Sequence, residues 1–137
     1  MSLKNIVKGA VLKPIIFILY GVAGIGKTST ASTMPNPVYI QTEDGLAGIK
    51  NDENIWSFPV CNSYDEVIDN LKTLRDDEHD RQSLIIDSLD WLQKLVLQKV
   101  CQIYNKQSVA EIPYGQGYTY AADLLEELLD IIYTCLL

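Results

Sequence analysis

The chain contains four short apolar runs, and polar or amphipathic sequence follows each of them. Residues 15–20 form a continuous run of β-branched, leucine and aromatic side chains, which predicts a strand buried on both faces, as in a parallel sheet. Shorter runs predict further strands over residues 38–41, 55–58 and 83–87. The last of these ends in a carboxylate, Asp87.

Helical spacing of apolar residues fills the intervals between these runs. A short helix is predicted from Lys27 to about residue 33, and a second begins at a capping box in which Ser63 is the N-cap and Glu66 reaches back. Two more follow residue 87, separated by a polar, glycine-bearing loop at 113–118. The apolar positions of these later helices are Val67, Ile68, Leu71, Leu74, Leu89, Leu92, Val96, Ile103, Leu124, Leu125, Leu128, Leu129 and Ile132. The alternation predicts one α/β domain over residues 1–137, with three layers around a mostly parallel sheet.

Residues 21–28 match the pattern G-x-x-x-x-G-K-[ST] in full, between a predicted strand and a predicted helix. Glycines let such a loop turn its backbone N–H groups toward an anion at the start of a helix. A lysine then reaches the β- and γ-phosphates, and a hydroxyl binds Mg²⁺. The sequence thus predicts a nucleotide site formed by Gly21, Val22, Ala23, Gly24, Ile25, Gly26, Lys27, Thr28 and Ser29, with Lys27 also acting in catalysis.

Asp87 is the predicted acidic partner of this loop. An aspartate after four apolar or small residues at a strand tip is the Walker B pattern, and parallel strands bring their carboxyl ends to one edge. We therefore expect Thr28 and Asp87 to converge on one Mg²⁺. Two alternatives stay open: Asp87 caps the following helix, or Asp90 is the metal acid.

Glu43 is the candidate for orienting the attacking water. The position directly after Asp87, where many ATPases of this kind carry a glutamate, is Ser88. Glu43 follows the predicted strand 38–41, whose tip points toward the same edge. A solvated turn residue is the alternative reading of Glu43.

Composition narrows the possible partners and compartments. The chain carries 11 basic and 18 acidic residues, a net charge of −7, which argues against bulk nucleic-acid binding by charge. Cys61, Cys101 and Cys135 are widely spaced and form no C-x-x-C pair, so a zinc site or disulfide framework is not expected, and a reduced, cytoplasmic setting fits. The longest apolar run is too short to span a bilayer, so no membrane partner is expected.

Four stretches together resemble the RecA-like P-loop ATPases, and more narrowly the phage-encoded AAA-type ATPases linked to single-strand annealing and recombination. They are residues 20–28, 41–46, 85–90 and 114–118, in the order found in that group. The resemblance implies ATP or ADP and Mg²⁺ as cofactors, Glu43 acting on water, and a role in DNA recombination. It also implies single-stranded DNA or a DNA-binding protein as partner and the host cell cytoplasm as location.

The chain departs from that group in one respect. Its relatives continue into a further core strand, which carries a polar sensor residue and lies between the P-loop strand and the Walker B strand. No strand pattern follows the last predicted helix, so we expect a partial domain that lacks C-terminal core strands. Its core strands then either have unpaired edges or pair with each other. In a further alternative a second chain covers the exposed surface, which predicts self-association.

Several other interpretations remain beside an ATPase. A GTPase is disfavoured because residues 105–108 lack the aspartate that pairs with guanine. A small-molecule or nucleotide kinase is weakened because Arg75 and Arg81 are the only arginines, both before the Walker B strand. A nucleotide-binding module without significant hydrolysis stays open. The charged residues around His79 predict a solvated connector. We expect Trp91 and the leucines of the last helix to lie in the core or at a subunit interface. The tyrosines of loop 114–118 either stack on bases or pack in a turn.

Overall fold

A computed structural model describes Gly9 and residues 14–49 and 53–135 of the chain. In these residues a three-stranded parallel sheet has the order β2-β1-β3. Three 3₁₀ turns, over Leu46–Gly48, Val109–Glu111 and Pro113–Gly115, join the longer elements. Those elements are α1 (Lys27–Ala31), β1 (Pro37–Gln41), β2 (Trp56–Ser57), α2 (Tyr64–Asp76), β3 (Ser83–Asp87), α3 (Leu89–Tyr104) and α4 (Gln116–Cys135).

Strand β1 is the buried centre of the sheet. All five of its residues are buried, as expected for a strand paired on both sides and covered on both faces. Its register with β3 aligns Gln41 with Asp87, so both strands end at the same edge. The strands predicted over 38–41 and 83–87 are confirmed, whereas the one predicted over 55–58 is only two residues long.

Helices lie on both faces of this sheet. Val38 and Ile40 belong to the main core, which they share with α2, α3 and α4. Tyr39 points to the opposite face, where its hydroxyl donates to the carbonyl of Thr28 in α1 over 3.0 Å. The predicted α/β architecture with a parallel sheet is therefore confirmed in the described residues.

The predicted amphipathic faces form the core only in part, since Leu89, Ile103, Leu125 and Leu129 are exposed. Helix α2 buries Tyr64 together with all four of its predicted apolar residues, and α4 buries Leu124 and Leu128. Trp91 is 42% exposed, with the Lys94 ammonium 3.7 Å from its ring centroid, so it lies outside the core, and the subunit interface stays the other prediction for it. The loop predicted over 113–118 ends early, because α4 already begins at Gln116.

The start of α2 realises the predicted capping box with a shift of one residue. The Ser63 hydroxyl accepts a hydrogen bond from the Glu66 amide at 3.2 Å. The Glu66 carboxylate, however, accepts from the Asn62 amide at 2.6 Å rather than from that of Ser63. Both bonds satisfy amides at or just before the first turn, where a helix leaves its N–H groups without internal partners.

The strand predicted over residues 15–20 is wrong. These residues form no strand, and their exposed fractions range from 43% at Leu19 to 93% at Tyr20. A run of apolar side chains forms a strand only where another strand offers backbone partners. Strand β1 is already paired on both sides, whereas the outer edge of β3 has no strand partner among the described residues. Residues 15–20 do not pair with that edge and lead to residue 21 outside the sheet.

No helix in the described part of the chain combines the length and the apolar character that crossing a bilayer requires.

Candidate functional site

The loop at residues 21–28 turns through two glycines with positive φ. Gly24 has φ +80° and Gly26, the residue before α1, has φ +99°. A Cβ at either position would meet no atom within 4 Å, so glycine is required there for its backbone conformation and not for space. The other predicted loop residues, from Gly21 to Ile25, are exposed, as is Ser29 in α1. The loop is therefore open to a ligand.

Lys27 folds back over this loop. Its ammonium donates to the carbonyl oxygens of Gly21 at 2.7 Å and Val22 at 3.1 Å. These are neutral acceptors at an exposed position, and a phosphate oxygen is a stronger partner for an ammonium. The side chain is thus held at the loop by bonds that an anionic ligand can replace.

Thr28 and Asp87 meet, although 59 residues separate them in the chain. The Thr28 hydroxyl donates to Oδ2 of Asp87 at 2.7 Å, which brings the two predicted metal-binding groups together. Asp87 is the last residue of β3 and Ser88 is the N-cap of α3, so the alternative in which Asp87 caps that helix is wrong. Asp90 is exposed in the first turn of α3.

Tyr39 supports Thr28 from within the sheet. Its hydroxyl donates to the Thr28 carbonyl, and the side chain is fully buried. Burial, together with the neighbouring Asp87 carboxylate, raises the pKa of Tyr39 to about 12. The phenol is therefore a neutral donor throughout the physiological range.

The residues that follow β1 lie against the end of β3. The Thr42 amide donates to the Asp87 carbonyl at 2.8 Å, and Gly45 lies so close that a Cβ there would be 3.3 Å from Asp87 Oδ2. Glu43, between these contacts in sequence, is half-buried. The structure thus brings the segment that carries Glu43 to the predicted edge.

Thr42 is a site residue that sequence reasoning missed. It is 4% exposed, and its hydroxyl bonds to the backbone of Ser88, whose peptide bond to Asp87 is cis. A threonine after a strand carries no signal of its own. Thr42 and Ser88 lie together because the β1–β3 register aligns the preceding residues, Gln41 and Asp87.

The arginines and the histidine are engaged elsewhere. Arg75 pairs with Asp76, and the Arg81 guanidinium lies 4.1 Å from the Trp56 ring centroid and binds the Asn54 carbonyl. His79 is held in the connector before β3, with Nε2 at 2.8 Å from the Leu74 carbonyl. Neither arginine side chain is directed to the loop at 21–28.

The donor set around Thr28 and Asp87 fits Mg²⁺. A carboxylate and a hydroxyl are hard oxygen donors, and Mg²⁺ in nucleotide sites takes one or two protein oxygens while waters and phosphates supply the rest. In the part of the chain that the structure describes, no group of three or more His, Cys, Asp or Glu residues is placed to hold a metal ion.

One of three comparisons with known proteins identifies a family for this chain. Searches of the curated proteins and of the solved structures give no significant match. Residues 13–136 match the profile of a protein family described as an AAA domain, and the match includes the loop at 21–28, Glu43 and Asp87. Since the match covers far more than half of the chain, the chain belongs to the AAA domain family.

Proposed function

We propose that this chain binds ATP with Mg²⁺ at the carboxyl edge of its sheet, as the nucleotide-binding core of a RecA-like ATPase. The observation that carries the proposal is the 2.7 Å hydrogen bond from Thr28 to Asp87. It joins the helix that follows a complete phosphate-loop motif to the acid at the tip of β3. Membership of the AAA domain family supports nucleotide binding by this chain.

The roles of the residues follow from their positions. The loop amides and the Lys27 ammonium bind the phosphates. On binding, Lys27 gives up its hydrogen bonds to the Gly21 and Val22 carbonyls and forms bonds to phosphate oxygens instead. Thr28 and Asp87 hold the metal ion. When bound, Mg²⁺ neutralises the charge of the β- and γ-phosphates.

Glu43 orients the attacking water in this proposal. It lies in the segment whose neighbours Thr42 and Gly45 contact Asp87, so it belongs to the same edge of the sheet. A positioned general base typically contributes about 10²- to 10⁴-fold to a rate. The variant Glu43→Gln is accordingly expected to lose most phosphate release while it keeps ATP affinity.

The test is equilibrium titration with fluorescent ATP in the presence of Mg²⁺. The variant Lys27→Ala is expected to weaken binding by about 10- to 100-fold, since hydrogen bonds to charged groups contribute about 1.5–3 kcal/mol each. Lys106→Ala, an exposed lysine beyond α3, is the matched control and keeps wild-type affinity. Equal affinity of the wild-type chain and Lys27→Ala would contradict the proposal.

Two alternatives have their own outcomes in the same assays. ATP binding without phosphate release identifies a nucleotide-binding module that does not hydrolyse. Transfer of the γ-phosphoryl group to a nucleoside monophosphate or another small acceptor identifies a kinase. Release that disappears in Glu43→Gln identifies the ATPase.

We also propose single-stranded DNA, in a recombination role, as the partner of this ATPase. Two aromatic side chains beside the start of α4, Tyr114 and Tyr118, are 98% and 62% exposed, and exposed aromatic rings stack on unpaired bases. Titration of a labelled oligothymidylate tests this: Tyr114→Ala is expected to weaken binding and Tyr133→Ala, on the last turns of α4, is not. Equal binding by both variants would rule out stacking on Tyr114.

A further inference from the structure

The Thr42 hydroxyl makes two hydrogen bonds with one residue, Ser88. It donates to the Ser88 carbonyl at 2.7 Å and accepts from the Ser88 amide at 2.8 Å. The Thr42 amide adds a third bond, to the Asp87 carbonyl at 2.8 Å. Thr42 therefore fixes the backbone on the C-terminal side of Asp87, the residue whose carboxylate meets Thr28.

Gly45 bounds the same carboxylate from another direction. A Cβ at this position would lie 3.3 Å from Asp87 Oδ2 and 3.8 Å from Cγ. Oδ2 is the oxygen that accepts the Thr28 hydroxyl. A side chain at residue 45 would therefore push on the atom that links β3 to the phosphate loop.

We propose that Thr42 is a positioning residue, which with Gly45 aims the Asp87 carboxylate at Thr28 and at the metal ion of the nucleotide. The inference rests on the function proposed above and names residues outside the phosphate-loop and Walker B motifs. Groups that orient a metal ligand without touching the metal typically contribute about 10- to 100-fold in metal affinity or activity. Loss of the Thr42 hydroxyl removes two of the hydrogen bonds that hold the backbone at Ser88, so that backbone is less firmly constrained.

The experiment measures how ATP affinity depends on Mg²⁺ concentration, with fluorescent ATP as the probe. Thr42→Val, which has nearly the same shape without the hydroxyl, is expected to need about 10-fold more Mg²⁺ for half-maximal enhancement of binding. Its affinity for ATP without Mg²⁺ is expected to stay within about 2-fold of wild type, because the hydrogen bonds of Thr42 go to Asp87 and Ser88 and not to the phosphate loop. Thr42→Ser retains the hydroxyl and is expected to restore the wild-type Mg²⁺ requirement.

A matched control removes a threonine hydroxyl far from the site. The Thr73 hydroxyl in α2 donates to the Asp69 carbonyl at 3.0 Å, so Thr73→Val loses one hydrogen bond without touching Asp87. If Thr42→Val does not fold, Gly45→Ala replaces it, with the same expected rise in Mg²⁺ requirement. A purely structural role would instead lower the unfolding midpoint and leave the Mg²⁺ requirement unchanged.

The outcomes separate this inference from the proposed function. If the wild-type chain binds Mg·ATP and both Thr42→Val and Gly45→Ala keep its Mg²⁺ requirement, the positioning role is overturned and the proposed function stands. If the wild-type chain binds no ATP, both proposals fail together. A shifted Mg²⁺ requirement in Thr42→Val that Thr42→Ser reverses, with Thr73→Val unshifted, supports the positioning role.

Discussion

Asp87 and Asp90 lie one helical turn apart in sequence but in different surroundings. Asp87 accepts the Thr28 hydroxyl at the end of β3, whereas Asp90 is exposed in the first turn of α3. Asp87→Asn keeps an oxygen that can accept from Thr28 but removes the charge that attracts a divalent cation. We expect it to raise the Mg²⁺ concentration needed for ATP binding by about 10-fold or more, in a metal titration at fixed nucleotide.

Asp90→Asn is the matched control for that titration, since it removes the same charge on the neighbouring helix. It is expected to leave the Mg²⁺ requirement unchanged. A shift in Asp90→Asn without one in Asp87→Asn would make Asp90 the metal acid and contradict the role of Asp87.

Tyr39 gives the chain a specific sensitivity to alkaline pH. Its pKa is about 12 in the folded chain and 10.0 as the ordinary value, so the folded state favours the neutral phenol. The resulting stability is fully present below pH 10, falls as the pH rises, and is lost above about pH 12. Urea unfolding at pH 9 and near pH 11 is expected to show this loss, on the order of 1–2 kcal/mol.

Tyr39→Phe isolates that contribution. It removes the titrating group and the hydrogen bond to Thr28, so its free energy of unfolding is lower at pH 9 but falls less toward pH 11. Some alkaline loss persists, because burial also raises the pKa of Tyr64 above its usual range. Parallel losses in wild type and Tyr39→Phe would contradict the prediction.

The sequence predicts those residues of this site that belong to a recognisable motif. The spacing of Gly21, Lys27 and Thr28 is characteristic, and Asp87 ends a strongly apolar run. Thr42 belongs to no motif and does not end a strongly apolar run. Its role depends on which backbone groups of the neighbouring segment after β3 lie opposite its hydroxyl. A hydrogen bond of that kind follows from register, and register is a property of the folded sheet.

Among the elements, α2 was the most predictable. Its cap and its apolar face agree, since Ser63 bonds the Glu66 amide and the buried residues recur at helical spacing. Local agreement between cap, propensity and pattern fixes such a helix without information from the rest of the fold. Glu66 reaches back as predicted, and its carboxylate accepts from the Asn62 amide, one residue before the N-cap.

The cap of α2 supports a stability prediction. Ser63→Ala removes the acceptor of the Glu66 amide and is expected to lower the free energy of unfolding by about 1 kcal/mol in urea titrations. Ser57→Ala, at an exposed position in β2, is the control and is expected to change it by less than about 0.5 kcal/mol. Equal effects of the two substitutions would mean that the cap does not stabilise α2.

At the scale of the whole molecule, the fold class followed from the alternation of strands and helices, but the position of one segment did not. Residues 15–20 and 38–41 both predict a buried strand from composition. Only the second is buried, because β1 has a parallel neighbour on each side and helices on both faces. Apolar composition indicates a tendency to be buried, whereas burial itself requires strand partners and cover by other elements, which β1 has and residues 15–20 lack in the described residues.

Alanine substitution of one isoleucine from each segment tests this difference in burial through the free energy of unfolding. Ile18 is 67% exposed, and Ile40 is fully buried in the core. Ile40→Ala is expected to lower the free energy of unfolding by about 2–5 kcal/mol, because it removes buried apolar surface and leaves a cavity. Ile18→Ala is expected to change it by less than about 0.5 kcal/mol, since its side chain is already in water. A cost for Ile18→Ala close to that for Ile40→Ala would place residues 15–20 inside the core in solution, and the exposed arrangement of this segment would then be wrong.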